Sequence, residues 1–154
     1  MATWNSRGLR GSLLEDLINR SNEIYLEKGL ALIQKIPTPI TPIQMDKQSR
    51  HITLAYFEQK STVDYIGAVQ GVPVFMTEFE KQGGVAFLLI YYSSRDLFYY
   101  LTYQDMMKFW NRKEVGGRKS FRMEELDMEY TLQPKHGVFI PYLDGLQKDL
   151  AHRD

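Results

Sequence analysis

Residues 85–91 form an uninterrupted run of apolar and aromatic side chains. A strand with one face in water alternates apolar and polar residues, whereas a continuous apolar run indicates a strand that is buried on both faces. Such a strand needs helices that cover its sheet. The run therefore predicts an α/β domain with its most buried strand at this point of the chain.

Other patterns place elements around this strand. Ser12 and Glu15 form a capping-box pattern that predicts the start of a helix, and Gly29 predicts its end. Pro37, Pro39 and Pro42 lack amide donors, so this segment is predicted to be an extended, exposed arm. The predicted helices cover about 13–28, 103–110, a short stretch near 123–128 and a segment after residue 141. The predicted strands cover 30–36, 52–57, 85–91 and 97–102, with a hairpin formed by 64–70 and 72–75.

Composition limits the class of protein. The 154 residues are 44% hydrophobic and 25% charged, which is typical of one globular domain and not of a disordered chain. No apolar stretch has the length of a membrane span or of a signal-peptide core. The absence of cysteine excludes disulfides and thiolate metal sites and is compatible with a reducing, cytoplasmic compartment.

The charge distribution is uneven although the formal net charge is zero. A neutral chain is not the usual profile of a nucleic-acid-binding protein. However, residues 108–122 contain six basic side chains and only one acid, Glu114. The part of this stretch at 110–120, called the basic segment below, combines cationic side chains with glycine amides that suit phosphate groups. A solvated basic loop explains the same composition equally well.

Asp64 is the one carboxylate at the start of a predicted strand that suits metal chemistry. Magnesium binds oxygen ligands, and it can activate water and neutralise phosphate charge during phosphodiester cleavage. A lone Asp at a strand start is more often a turn or capping residue. Glu58-Gln59-Lys60 has the spacing of a nuclease carboxylate–lysine pair but precedes Asp64, and Glu80-Lys81 has the wrong spacing on a predicted helix. The residues by themselves therefore supply one candidate carboxylate, Asp64, without the second carboxylate and the lysine that would complete a nuclease site.

Two longer motifs make the chain resemble a known family. The motifs are Ser61-Thr62-Val63-Asp64-Tyr65-Ile66-Gly67 and the basic segment, which reads Trp-x-Arg-Lys-x-x-Gly-Gly-Arg-Lys-Ser. Arg7-Gly8-Leu9, Asn22-Glu23-Ile24-Tyr25, Ile36-Pro37-Thr38-Pro39, Ala55-Tyr56-Phe57 and Gly84-Val85-Ala86-Phe87 extend the match in order along almost the whole chain. Together they resemble the RecU family of Holliday-junction resolvases.

The resemblance implies a fold and a function. The fold is a restriction-endonuclease-like mixed sheet flanked by helices, in a single domain of residues 1–154 with a projecting stalk at about 37–55. The activity is magnesium-dependent cutting of four-way DNA junctions by a cytoplasmic homodimer in recombination and repair, with RecA as a further partner. Thr62 and Asp64 match the magnesium ligands, and Asp64 is the catalytic candidate. Phosphate contacts are predicted for Arg7, Arg10, Lys47, Arg50, Arg112, Lys113, Arg118 and Lys119.

The chain departs from the family between Phe75 and Met76. The resemblance implies a strand with a metal-binding Glu and a charge-stabilising Lys at this place, followed by a loop and a helix start, and none of these is in the sequence. Either a mobile loop is missing from the sequence as printed, or the segment is deleted and the protein binds junctions and modulates RecA without cutting. The first explanation is favoured, because a deletion would expose apolar surface to water, and this exposure costs about 25 cal/mol of free energy per Å².

Overall fold

The structure is a computed structural model, and it describes residues 7–31, 52–59, 63–65, 72–135 and 137–153. The helices are α1 (Arg7–Glu27), α2 (Val72–Lys81), α3 (Tyr103–Glu114) and α4 (Tyr142–Arg153). The strands are β1 (Ile52–Gln59), β2 (Val63–Tyr65), β3 (Val85–Tyr92), β4 (Leu97–Thr102), β5 (Ser120–Arg122) and β6 (Thr131–Leu132). Short 3₁₀ turns cover Met123–Glu125 and Met128–Tyr130, where the sequence predicts one short helix.

Strand β3 lies inside a four-stranded mixed sheet with the order β1-β3-β4-β6. Strand β1 runs parallel to β3, and the β3–β4 and β4–β6 pairs are antiparallel. All eight residues of β3 are buried, as the continuous apolar run predicts. The predicted α/β domain, with a mixed sheet flanked by helices, is confirmed.

Helix α1 begins earlier than predicted and ends where predicted. It starts at Arg7, so Ser12 lies inside the helix and the predicted capping box is wrong. A Ser-x-x-Glu pattern caps a helix only where the preceding residues are not helical. At the other end Gly29 has φ +69°, and the Leu30 N–H donates to the Tyr25 carbonyl at 2.9 Å. This is a glycine-terminated Schellman motif.

The predicted arm lies mostly outside the described residues. The structure does not describe residues 32–51. This range contains the three prolines, most of the predicted stalk, and all of the predicted strand at 30–36 except its first two residues. The last residues of the predicted stalk, 52–55, belong to β1, where Ile52 lies opposite Val85 and Ala55 opposite Leu88. The main sheet therefore begins at residue 52.

Helix α2 replaces the second strand of the predicted hairpin. Val72 and Phe75 lie in this helix, so the strand prediction for 72–75 is wrong. Pro73 lies in the first helical turn, where its missing N–H costs nothing. Pro73, Met76 and Phe79 are buried at helical spacing. Phe75 and Met76, between which the resemblance indicates the missing stretch, are successive residues of this helix.

A buried ionic cluster joins α2 to α4. The Arg153 guanidinium donates to both carboxylate oxygens of Glu80 and, through Nε, to the Asp149 carboxylate at 2.8 Å. The Tyr100 hydroxyl donates to the same Asp149 carboxylate at 2.7 Å. The Asp149 side chain is 2% exposed and that of Glu80 is 11% exposed. Because buried charges must be paired, this cluster fixes the end of α4 against α2.

Gly145 gives α4 its close approach to the sheet. An added Cβ would lie 2.7 Å from Cδ2 and 2.8 Å from Cγ of Tyr100. The Tyr100 ring is fully buried and stacks on Phe87 with 4.2 Å between ring centroids. The ring therefore has no free space into which it could move.

We expect Gly145→Ala to destabilise the protein although alanine is the better helix former. The gain in helix propensity is about 1 kcal/mol, whereas overpacking a tight core costs about 1–3 kcal/mol. Urea denaturation should show a lower free energy of unfolding for the variant. Gln147→Gly, at an exposed position of the same helix, measures the propensity term alone. A Gly145→Ala variant more stable than the wild type would contradict the predicted clash.

Candidate active-site strand and nucleic-acid interface

The structure brings the two longer motifs of the sequence together. Strand β2, which carries Asp64, pairs antiparallel with β5, whose first residue, Ser120, is the last residue of the basic segment. Asp64 lies opposite Phe121, and Tyr65 lies opposite Ser120. The candidate catalytic residue and the candidate phosphate-binding segment are therefore neighbours, although Ser120 is 56 positions after Asp64 in the sequence.

Two glycines turn the chain from α3 towards β5. The Gly116 N–H donates to the Lys113 carbonyl at 3.1 Å, and the Gly117 N–H donates to the Arg112 carbonyl at 2.8 Å, which is a Schellman motif. Gly116 has φ +87°, a conformation that costs glycine little. A Cβ on Gly117 would lie 2.7 Å from the Arg112 carbonyl oxygen. The glycine pair therefore shapes the backbone of the basic segment.

An aromatic pair anchors β5 to α3. The rings of Phe121 and Phe109 are stacked, with 4.4 Å between centroids and 2° between planes. Both side chains are almost fully buried. This contact is the main apolar attachment of β5 and, through the β2–β5 ladder, it supports the strand that carries Asp64.

Arg112 is engaged within the protein. Its Nη1 donates to Glu125 Oε1 at 2.7 Å, and its Nη2 donates to the Ser120 carbonyl at 2.7 Å. The guanidinium lies 5.1 Å from the centroid of the Phe109 ring. Its predicted phosphate contact stays a prediction, but the structure gives Arg112 a second role in holding β5.

The other cations of the basic segment are arranged differently. Lys113 Nζ lies 4.0 Å from the centroid of the Trp110 indole ring and 3.6 Å from Glu114 Oε1. Arg118 is 49% exposed, with Nη1 3.9 Å from Glu125 Oε2. Lys119 is exposed. Arg118 and Lys119 therefore offer the charges most accessible to a phosphate backbone.

Several predicted site residues cannot be compared with the structure. Thr62, Lys47 and Arg50 lie outside the described residues. Arg7 and Arg10 lie in the first turns of α1, and only their backbone is described. Within the described ranges, no group of three or more His, Asp or Glu residues could hold a metal ion. The same ranges contain no helix with the length and apolar character of a membrane span.

Sequence reasoning missed β5 and Glu125. A strand of three residues is too short for a periodic pattern. The signal available was Phe121, a single apolar residue after the basic segment. Glu125 lies among other acidic residues in the sequence, and only the fold shows that it faces Arg112.

The comparisons agree with the resemblance stated from the motifs. The family model described as "Recombination protein U" (RecU) matches residues 9–75 and 73–148. A protein of Limosilactobacillus reuteri named Holliday junction resolvase RecU is 32% identical, over 92% of this chain and 83% of its own length. A protein of the same name from Pediococcus pentosaceus is 33% identical, over 92% and 84%. One from Geobacillus kaustophilus is 32% identical, over 86% and 76%.

The relatives contain an internal stretch that this chain lacks. The L. reuteri alignment has 174 positions, whereas 92% of 154 residues is about 142, so about 32 positions have no residue of this chain. The G. kaustophilus alignment has 159 positions for 86% of the chain, about 132 residues, and so about 27 such positions. The family match divides at residues 73–75, beside the break that the resemblance indicates. With nearly its whole length matched, the chain belongs to the RecU family.

Proposed function

We propose that this chain acts on four-way DNA junctions in recombination and cuts them as a Holliday junction resolvase. The observation that carries the proposal is the pairing of β2 with β5 in a RecU-family chain. It places Asp64 beside the end of the basic segment. A nuclease needs its carboxylate close to the phosphates that its cations bind.

The basic segment is the proposed phosphate-binding surface. Arg118 and Lys119 are exposed on the chain that leads into β5, and Lys113 carries its charge over the Trp110 ring. Contacts of this kind position a nucleic acid without reading its bases. We therefore propose that the chain selects the shape of the junction more than its sequence.

A magnesium ion is part of the proposal. The carboxylate of Asp64 and the hydroxyl of Thr62 are oxygen donors, which suit this hard cation. When bound, the ion would activate water and neutralise charge on the phosphate. Asp64 would hold the ion at β2, and β5 would keep that strand in place.

A second candidate function is junction binding and RecA modulation without cutting. The observation that favours it is the division of the family match at residues 73–75, together with the alignment positions at which this chain has no residue. The resemblance implies that the missing stretch supplies a metal-binding Glu and a Lys. Without them the basic surface remains, and the metal site loses ligands.

Cutting and binding assays with a synthetic four-way junction test both candidates. With Mg²⁺, we expect the full chain to cut the junction and Asp64→Asn to reduce the rate about 100-fold or more, since even outer-shell partners of a metal contribute 10- to 100-fold. Asp16→Asn, which makes the same charge change at an exposed position of α1, should cut like the wild type. Junction affinity should fall as salt rises, because phosphate contacts release counterions.

The outcomes separate the candidates. Binding that prefers the junction to duplex DNA, without any cutting, contradicts the first candidate and supports the second. Equal affinity for junction and duplex would remove both.

We also propose a homodimer, RecA as a protein partner and a cytoplasmic location. A homodimer would supply two sites related by symmetry for nicks in two strands. RecA is the proposed protein partner, on the resemblance alone. The proposed cytoplasmic location is supported by the absence of cysteine.

A further inference from the structure

We propose that the Arg112–Glu125 pair positions the β2 strand for cutting, and that Arg112 is a positioning residue and not a DNA contact. This inference rests on the proposed function of the same site. It changes the role of one predicted phosphate-binding residue and adds Glu125, an acid that no DNA-binding pattern would select.

Both terminal nitrogens of the Arg112 guanidinium donate hydrogen bonds inside the protein. Nη1 donates to Glu125 Oε1, and Nη2 donates to the Ser120 carbonyl and to Glu125 Oε2 at 3.4 Å. The Nε atom is buried without a hydrogen-bond partner among the described residues. A phosphate could bind the guanidinium fork only by displacing Glu125, whose carboxylate already occupies it.

Glu125 ties the pair to the other end of β5. Its Oε2 accepts a hydrogen bond from the Arg122 N–H at 2.9 Å. Arg112 and Glu125 together therefore contact β5 at both its first and its last residue. The Arg112 hydrogen bond holds the pKa of the Glu125 carboxyl down at about 2. The pair consequently stays charged throughout the pH range in which nucleases are assayed.

Strand β5 needs these contacts to stay in place. It has three residues and pairs with the three residues of β2, and an isolated two-stranded ladder is marginally stable at best. The Phe109–Phe121 stack fixes its middle, and Arg112–Glu125 fixes its ends. Any shift of β5 moves β2 and Asp64 with it, and a displacement of about 1 Å can cost about 100-fold in rate.

The positioning role and a phosphate contact predict different cutting rates for Glu125→Gln. If Arg112 bound phosphate, removing the competing acid would strengthen junction binding and leave the cutting rate intact. If the pair positions β2, the same change lowers the cutting rate at saturating junction about 10- to 100-fold, while the junction Kd stays equal or decreases. Glu124→Gln is the matched control, because Glu124 is exposed and adjacent and the charge change is identical.

The experiment combines three measurements on the full chain. Single-turnover cutting and junction Kd are measured with Mg²⁺ for the wild type, Glu125→Gln, Glu124→Gln and Arg112→Lys. Arg112→Lys keeps the positive charge but loses the fork, so it should cut as slowly as Glu125→Gln and bind with near wild-type Kd. Amide hydrogen exchange of residues 63–65 and 120–122 should be at least about 10-fold faster in Glu125→Gln than in Glu124→Gln.

Each result bears on the inference. Unchanged amide exchange in Glu125→Gln overturns it, as does tighter junction binding with an unaltered cutting rate. A wild-type chain that binds junctions without cutting would contradict the proposed cutting, and amide exchange of β2 would still test the positioning role.

Discussion

Arg153→Met is expected to lower the free energy of unfolding by about 3–5 kcal/mol, the usual cost of removing one partner from a buried ion pair. The substitution leaves the Glu80 and Asp149 carboxylates buried without their shared cation. Urea denaturation of the full chain at pH 7 measures the loss. Arg20→Met is the matched control, because Arg20 also pairs with a Glu but on the surface, where such pairs contribute about 0–1 kcal/mol.

The loss in Arg153→Met should grow with pH. Burial raises the pKa of the Glu80 carboxyl, and the hydrogen bond and charge of Arg153 oppose that rise. Without Arg153 the folded-state pKa moves further above the unfolded value of about 4.3. A carboxyl with a raised folded pKa favours folding below the unfolded pKa, and this contribution is lost as pH rises through the folded pKa.

The difference in unfolding free energy between wild type and Arg153→Met should therefore be smaller at pH 4.5 than at pH 7. A difference that is constant or larger at pH 4.5 would show that Glu80 does not carry an uncompensated charge in the variant. The Tyr100 hydroxyl, which donates to Asp149, has its pKa raised by burial first and by Asp149 second, so it does not titrate in this range.

Phe121→Ala should cost about 3–5 kcal/mol, as large aromatic truncations in a core do. Phe121 is 2% exposed, and its ring stacks on Phe109. Phe139→Ala is the matched control, because Phe139 is 50% exposed and its truncation should cost about 1 kcal/mol or less. Urea denaturation of both variants gives the comparison.

The Phe121 substitution also bears on the site. Because Phe121 lies opposite Asp64 in the ladder, its loss should reduce junction cutting even at a temperature where the variant is folded. Phe121→Leu retains an apolar anchor and serves if the alanine variant does not fold. Equal losses of stability in Phe121→Ala and Phe139→Ala would contradict the anchoring role of the aromatic stack.

Elements with a strong local pattern could be predicted from sequence. A strand made of a continuous apolar run keeps its side chains out of water only if both of its faces are covered. The structure accordingly buries all eight residues of β3. Strand β4 has the predicted bounds, and α3 begins at the predicted Tyr103 but continues to Glu114, four residues beyond the predicted end. The two motifs that led to the RecU family needed no coordinates, because the order and spacing of their residues are properties of the sequence.

Short segments without a pattern of their own depended on tertiary contacts. The run at 72–75 suits a strand by composition, but four apolar residues fit a buried helix equally well. The helix that forms instead makes hydrogen bonds with residues far along the chain. The hydroxyls of Thr77 and Tyr103 are 2.9 Å apart, and Arg153 donates to Glu80.

The partners in the site were also decided by the fold. The sequence determined which residues could do phosphate chemistry, because carboxylate, guanidinium and ammonium groups are fixed by residue type. It could not determine that β5 pairs with β2, or that the Arg112 fork is held by Glu125. Both depend on distances between residues far apart in sequence, and only folding of the whole chain sets those distances.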